Sequence, residues 1–217
     1  MLLLKIFEID PVLIIPWFCA LLFAITIHEF SHGFTAYKLG DDTAANMGRL
    51  SLNPLVHLDL FGLLMLVFVG FGWAKPVPIN IYNIRKGNFG KFMVSFAGVL
   101  ANLIMAVVCV LALKILVING FSVSNFLIKF LAFLVYINLA LFVFNLIPVH
   151  PLDGYHILEL FVPKIFFKIF PFLESWGFFI IIALVFLTNI IGYLIGIIIY
   201  IFSVLFNLNI FYLAFGI

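Results

Sequence analysis

The sequence has 217 residues, of which 66% are hydrophobic and only 9% are charged. A soluble domain carries about 25% charged residues, so a water-soluble globule is excluded. Several apolar stretches approach or exceed the roughly 17 to 25 residues that a spanning helix needs, so we expect the chain to lie in a lipid bilayer. The 11 basic and 9 acidic residues form no basic patch, so nucleic acid is not an expected partner.

The first apolar stretch predicts a helix over residues 11–39, which begins after Asp10 and ends at Gly40. Glu8 and Asp10 interrupt the start of this stretch, and no small-residue cleavage pattern follows. We therefore expect the helix to remain in the mature protein instead of being removed as part of a signal peptide.

Residues 40–91 are the most irregular part of the sequence, with charged residues between short apolar pieces. The apolar run Leu60 to Trp73 lies within them and has about 14 residues, fewer than the roughly 17 needed to span. We predict that this run is re-entrant or interfacial.

A stretch with two prolines, residues 76–81, follows that run. Apolar and other residues alternate in it, and its prolines suit an edge strand, so a short β-strand is one interpretation and an ordered loop is the other. The apolar positions of this possible strand are Val77, Ile79 and Ile81.

The rest of the chain predicts spanning helices over 92–118 and 126–147, joined by a short polar turn. Residues 148–175 are mixed and predict an Asp-containing turn with an interfacial segment, and residues 176–217 predict a hydrophobic hairpin. No internal repeat or separate soluble domain is visible. The expected fold is a single all-α polytopic membrane domain, a helical bundle of about five to six transmembrane segments. Cys19 and Cys109 lie inside apolar stretches, and we expect both to pack in its core.

Basic residues indicate the orientation, because cytoplasmic loops carry an excess of Lys and Arg. With the 60–73 run not spanning, the larger group of basic residues falls on one side of the membrane. We therefore expect a multi-pass cell-membrane protein whose larger basic group, with the C-terminal end of the first helix, lies on the cytoplasmic side. The larger group is Lys38, Arg49, Lys75, Arg85, Lys86, Lys91, Lys164 and Lys168, and the smaller group is Lys5, Lys114 and Lys129.

His28 and His32 lie four residues apart in the predicted first helix, so one helix face carries two possible nitrogen ligands. Glu29 is adjacent, at the position of the general base in a His-Glu-x-x-His metalloprotease. The alternative interpretation is buried histidines hydrogen-bonded to other helices. A charged carboxylate at mid-bilayer costs about 2.5 to 3.5 kcal/mol, which favours a functional role.

A catalytic zinc usually has three protein ligands, and spacing alone does not identify the third. The stretch Asn145 to Gly154 is expected to reach the same side of the membrane as His32. Its prolines and Gly154 would fix Asp153 on a stiff turn that suits a carboxylate ligand. The chemically suitable candidates are His57, Asp59, His150, Asp153, His156 and Glu159.

Three motifs together resemble the site-2 protease family of intramembrane zinc metalloproteases. They are His28 to His32, Gly98 to Asn102, and Asn145 to Gly154, in the family's order and spacing. The resemblance covers roughly residues 17–160 and is closest to the compact branch of the family, without a PDZ or nucleotide-sensing domain. It also takes in Gly48 to Pro54 with His57, and Gly72 to Pro78.

The resemblance implies one zinc ion per chain, with His28, His32 and Asp153 as ligands and Glu29 as catalytic base. The implied reaction is hydrolysis of peptide bonds within or near transmembrane segments, and the implied partners are single-span membrane proteins in the bilayer. A locally unwound substrate could pair with the segment near Val77 to Ile81. The implied oxyanion or substrate-positioning residues are Asn102, Asn145 and His57.

Two of these residues have simpler interpretations, since Asn102 could join helices and His57 could anchor a loop. His150 stands where the family more often has an apolar residue, which leaves an accessory role open. For the whole protein, the alternative function is a membrane metal-ion transporter or metal-binding protein that uses the same His/Asp cluster. A silent homologue that only binds membrane helices is a third interpretation, which the costly His and Asp groups disfavour.

Overall fold

The computed structural model describes residues 11–69, 72–163 and 168–216, so Lys5, Lys164 and the acidic residues before Pro11 lie outside the described residues. The described part is helical and has no β-strand, which confirms the all-α membrane fold. A 3-10 turn at Pro11–Leu13 precedes the first α-helix, and a second lies at Pro54–His57. The α-helices are α1 (Ile14–Lys38), α2 (Thr43–Asn46), α3 (Leu60–Val69), α4 (Gly87–Ile118), α5 (Phe126–Asn145), α6 (Asp153–Phe161), α7 (Phe170–Phe186), α8 (Ile190–Phe206) and α9 (Ile210–Phe215).

Three of these helices, α1, α4 and α5, are long and apolar enough to cross a membrane, and they pack against one another. Alanines allow the backbones to approach closely where no water drives helices together. Cys109 is buried in the same core, as expected. Cys19 is exposed on α1, so the expectation that it packs in the core is wrong. Fully buried alanines on these three helices include Ala20, Ala24, Ala106 and Ala132.

The C-terminal part has fewer crossings than the sequence predicts. Helices α7 and α8 have 17 residues each, and their axes differ in direction by 67° across a short break. The described residues therefore contain three spans, or four if the bent pair is one broken span, instead of the expected five to six. Hydropathy overestimates the number because it registers apolar length and not the bend at Thr188 and Asn189.

Helix α3 has ten residues, too few to span, in agreement with the re-entrant or interfacial prediction. The chain after α3 comes back against it, because a Cβ added to Gly62 would overlap the carbonyl of Trp73. A Cβ added to Gly72 would likewise overlap the backbone carbonyl oxygen of Gly62. Glycines are therefore required where the two segments touch backbone to backbone.

Residues 72–80 run beside α1 without regular secondary structure, so the structure has an ordered loop where the sequence allowed a strand. Ile81 lies in a turn that closes when the Asn83 N–H donates to the Asn80 carbonyl at 3.0 Å. Only the part of the predicted strand that precedes Asn80 is therefore available to a strand-like partner.

Helices α1 and α4 meet at one end of the bundle, where the Arg85 N–H donates to the Leu39 carbonyl at 2.9 Å. Helix α4 begins at Gly87, five residues before the predicted start, after Lys86 with φ 69° and Gly87 with φ 55° turn the chain. Lys38 and Lys86 therefore lie on the same side, as the orientation argument requires. That this side is cytoplasmic stays a prediction.

Candidate active site

Three side chains from two distant parts of the sequence converge at the centre of the site. The Nε2 atoms of His28 and His32 are 3.1 Å apart, and Oδ2 of Asp153 lies 3.3 Å from the first and 3.2 Å from the second. The three ligand atoms form a nearly equilateral triangle. Among the described residues, this is the group of His, Cys, Asp and Glu side chains that could hold a metal ion.

The far side of each imidazole is fixed by a buried oxygen. Nδ1 of His28 lies 2.6 Å from Oδ1 of Asn102, and Nδ1 of His32 lies 2.7 Å from the carbonyl oxygen of Val94. A carbonyl oxygen only accepts, so Nδ1–H of His32 donates, and the same arrangement serves His28. Both Nε2 lone pairs are then free to bind a metal, as in known metal-ligating histidines.

Gly98 makes room for both rings on the surface of α4. A Cβ at this position would overlap Nε2 of His32 and the ring of His28. Asn102 lies one turn further along the same helix and is fully buried. The spacing of Gly98 and Asn102 therefore provides a flat surface and a hydrogen-bond acceptor for the two histidines.

Asp153 is the first residue of α6, and its neighbour Gly154 lies against the carbonyl oxygens of Leu146 and Ile147. This close backbone contact turns the chain so that the carboxylate faces the histidines. Its Oδ2 is buried and has no hydrogen-bond partner, which is unusual for a carboxylate unless a cation binds it.

Glu29 lies beside the triangle, on the wall of a cavity of about 590 Å³. Its Oε2 accepts a hydrogen bond of 2.8 Å from the N–H of Val77. Arg49 fixes the chain just before Val77, since its Nη2 donates to the carbonyls of Lys75 at 2.8 Å and Pro76 at 3.2 Å. The cavity is lined mainly by apolar side chains of α1, α3, α5 and α7.

The other residues predicted for the site lie at different positions relative to the triangle and the cavity. Asn145 lines the cavity, whereas Asn102 lies behind His28. His57 is fully buried outside the triangle, and its Nε2 lies 2.8 Å from the Ser51 carbonyl. His150 stacks edge-on against Tyr155 with 5.3 Å between ring centroids, also outside the triangle. Three of the other candidate ligands also lie outside the triangle: Asp59, His156 and Glu159.

Comparison with known proteins gives one consistent result. The profile of Peptidase family M50 matches residues 113–188. YwhC of Bacillus subtilis, whose name assigns it to the zinc metalloproteases, is 39% identical over 179 residues, or 80% of this chain and 82% of YwhC. This chain belongs to the M50 family, the site-2 proteases.

More distant relatives carry similar names. Rip2 of Mycolicibacterium smegmatis, also assigned by name to the zinc metalloproteases, is 32% identical over 171 residues, or 75% of this chain and 63% of Rip2. Rip2 of Mycobacterium tuberculosis is 33% identical over 142 residues, or 64% of this chain and 54% of Rip2. No solved structure matches the chain significantly. The protein is a membrane-embedded zinc metalloprotease.

The triangle of this M50 member fits zinc. Ligand atoms about 2.0 to 2.1 Å from a tetrahedral zinc lie roughly 3.3 to 3.4 Å apart, close to the observed sides of 3.1 to 3.3 Å. Two imidazole nitrogens and one carboxylate oxygen also match a known type of catalytic zinc site, which keeps a fourth position open.

Sequence reasoning missed two residues near this site. Asn138 in α5 accepts a hydrogen bond of 2.7 Å from Asn102, and Arg49 holds the loop beside Glu29. Asn138 is an amide in the middle of an apolar helix, and this costly placement is a signal that the sequence does contain. The role of Arg49 depends on the path of an irregular loop, for which the sequence has no signal.

Proposed function

We propose that this protease hydrolyses peptide bonds within or near transmembrane segments of single-span membrane proteins, at the cytoplasmic side of the cell membrane. The observation that supports this most directly is that His28 of the triangle and Glu29 lie on the wall of a cavity between helices. The apolar lining suits substrate side chains that come from the bilayer. A cavity of about 590 Å³ accommodates a few residues of an unwound segment and not a folded domain.

In this proposal, His28, His32 and Asp153 hold the zinc. The bound zinc supplies Lewis acidity toward a water molecule and the scissile carbonyl. Glu29 removes a proton from the attacking water and delivers it to the leaving amine. The hydrogen bond from Val77 to Oε2 orients the carboxylate for this transfer.

The predicted positioning residues take different roles. Asn145 lines the cavity and is our candidate hydrogen-bond donor to the oxyanion. Asn102 acts from behind His28, and we assign it to ligand orientation. His57 holds the loop before α3, because its ring Nε2 lies 2.8 Å from the Ser51 carbonyl.

The first experiment measures zinc content and cleavage of a single-span substrate by purified protein in detergent. We expect Glu29→Gln to keep zinc and to lose about 10²- to 10⁴-fold in kcat, the usual contribution of a general acid–base. Asp153→Asn should lose zinc as well as activity, since it removes the anionic ligand. Full cleavage by Glu29→Gln would contradict the proposed mechanism, and zinc retained at wild-type affinity by Asp153→Asn would contradict the ligand assignment.

We further propose that an unwound substrate pairs with the loop at Ile79, between two anchored positions. The N–H of Val77 is bound by Glu29, and the N–H of Asn80 donates to Oδ2 of Asp41 at 2.7 Å. A strand-like substrate would replace its lost helical hydrogen bonds there.

Proline substitution tests this pairing, since proline has no N–H. Ile79→Pro should lower kcat/KM about tenfold, roughly the value of one good hydrogen bond. Ile81→Pro is the matched control, because Ile81 lies at the second position of a turn, where proline is favoured. Equal cleavage by the two variants would contradict pairing at Ile79.

A further inference from the structure

Asn138 is a fully buried amide in α5, a helix composed mostly of apolar residues. An amide without partners in such surroundings is costly. Here both ends of the amide are satisfied. Its Nδ2 donates to the Leu134 carbonyl at 2.8 Å, and its Oδ1 accepts from Nδ2 of Asn102 at 2.7 Å.

The hydrogen bonds continue in one direction to the metal centre. Oδ1 of Asn102 lies 2.6 Å from Nδ1 of His28, and Nε2 of His28 belongs to the ligand triangle. We define these three side chains, Asn138, Asn102 and His28, as the amide relay. The relay connects α5, α4 and α1, the three spans that form the centre of the bundle.

The orientation of the Asn102 amide decides which nitrogen of His28 carries hydrogen. With Oδ1 toward the ring, Nδ1–H donates and Nε2 keeps its lone pair for a metal. With the amide reversed, its N–H groups would face Nδ1, which would then have to accept, and the hydrogen would move to Nε2. That tautomer cannot bind zinc through Nε2.

Asn138 selects between these two orientations. Since its own Nδ2 is used by the Leu134 carbonyl, it presents an oxygen to Asn102. An oxygen accepts from Nδ2 of Asn102 and repels Oδ1. The Ala24 carbonyl lies 3.5 Å from the same Nδ2 and favours the same orientation more weakly.

We propose that Asn138 is a positioning residue that acts through Asn102 to hold His28 as an Nε2 ligand. This inference rests on the role of His28 in the proposed function. It adds to the determinants of metal affinity a residue from a third helix whose hydrogen bonds go to Asn102 and Leu134 and not to the ligand triangle.

The test is the dissociation constant for zinc, measured by competition with a chelator on purified wild type and variants. Asn138→Leu should weaken binding about tenfold, and Asn102→Leu between tenfold and 100-fold, as for other residues that orient metal ligands. The double variant should bind no more weakly than Asn102→Leu, because Asn138 acts only through Asn102. Leu139→Ala is the control, since it opens a cavity at a fully buried neighbour outside the relay.

A spectroscopic readout separates positioning from general damage. In zinc-loaded protein with ¹⁵N-labelled histidine, the His28 Nδ1–H resonance should shift in Asn138→Leu and stay unchanged in Leu139→Ala, even if both lower the melting temperature. Wild-type zinc affinity and an unmoved resonance in Asn138→Leu would overturn the inference and leave the proposed function intact. Additive losses in the double variant would also overturn it. If wild type itself binds no zinc, the proposed function fails first.

Discussion

The two sides of the candidate metal centre are built differently. On the back, His28 and His32 are pressed onto α4 with no room for a methyl group, and each Nδ1 meets a fixed oxygen. On the front, Glu29 faces a cavity whose wall includes irregular chain held by a few hydrogen bonds. The two proposed histidine ligands therefore lie on packed spans, whereas part of the cavity wall beside Glu29 is irregular chain outside the spans.

The largest expected effect is that of Gly98→Ala, which disturbs the packing of His28 and His32 on α4. The added methyl overlaps both imidazoles, so we expect zinc affinity to fall about 100-fold and cleavage to fall with it. Gly192→Ala is the matched control in another apolar helix, since an added Cβ there meets no atom within 4 Å. Normal zinc binding by Gly98→Ala would show that the rings can shift without cost.

The loop beside Glu29 can be loosened without changing the proposed zinc ligands. Arg49→Met removes the hydrogen bonds to Lys75 and Pro76 and should lower kcat/KM about tenfold while zinc content stays at the wild-type value. Lys75→Ala removes a nearby charge but keeps the backbone carbonyl, so it should cleave normally. Loss of zinc in Arg49→Met would show that the two sides are not separable.

The smallest expected effect concerns Asp41, which holds the end of the same loop. Burial opposes its charge, but hydrogen bonds from Thr43, Asn80 and Asn83 outweigh burial and lower the pKa of Asp41. A lowered folded-state pKa means that the charged form stabilises the fold above the unfolded pKa of about 4, and that this contribution is lost as the pH falls.

Asp41→Asn should therefore lower the melting temperature at pH 7, and its difference from wild type should shrink at pH values below about 4. Asp42→Asn is the control, because Asp42 is the exposed neighbour. If the melting temperatures of Asp41→Asn and wild type differed equally at pH 7 and pH 3, the charge of the Asp41 carboxylate would not be the cause.

The sequence predicted best where local spacing determines geometry. Two histidines four residues apart in a helix must share a face, so their convergence follows from helical periodicity alone. The proposed third ligand, Asp153, was one of six candidates by spacing, because its position depends on how α6 begins beside a different helix. The sequence predicted that Gly154 helps to fix Asp153 on a stiff turn, but the contact of Gly154 with the carbonyls of Leu146 and Ile147, which turns Asp153 inward, depends on the fold.

Elements set by tertiary packing were harder to predict. Hydropathy identified α1, α4 and α5 but counted too many crossings in the tail, because apolar composition does not distinguish a bent pair from a hairpin. The strand at residues 76–81 was one of two interpretations, and the backbone is used instead by Glu29 and Asp41. Polar side chains supplied from outside a segment therefore decided its conformation.

The hydrogen bond from the Arg85 N–H to the Leu39 carbonyl brings the two ends of residues 40–84 together where α1 ends and α4 begins. Lengthening a loop whose ends are already joined adds little to the entropy of closing it. The segment also contacts α1 through the hydrogen bond between Val77 and Glu29. An insertion at the turn that begins at Asn80, away from that contact, should therefore leave the register of α1 against α4 unchanged.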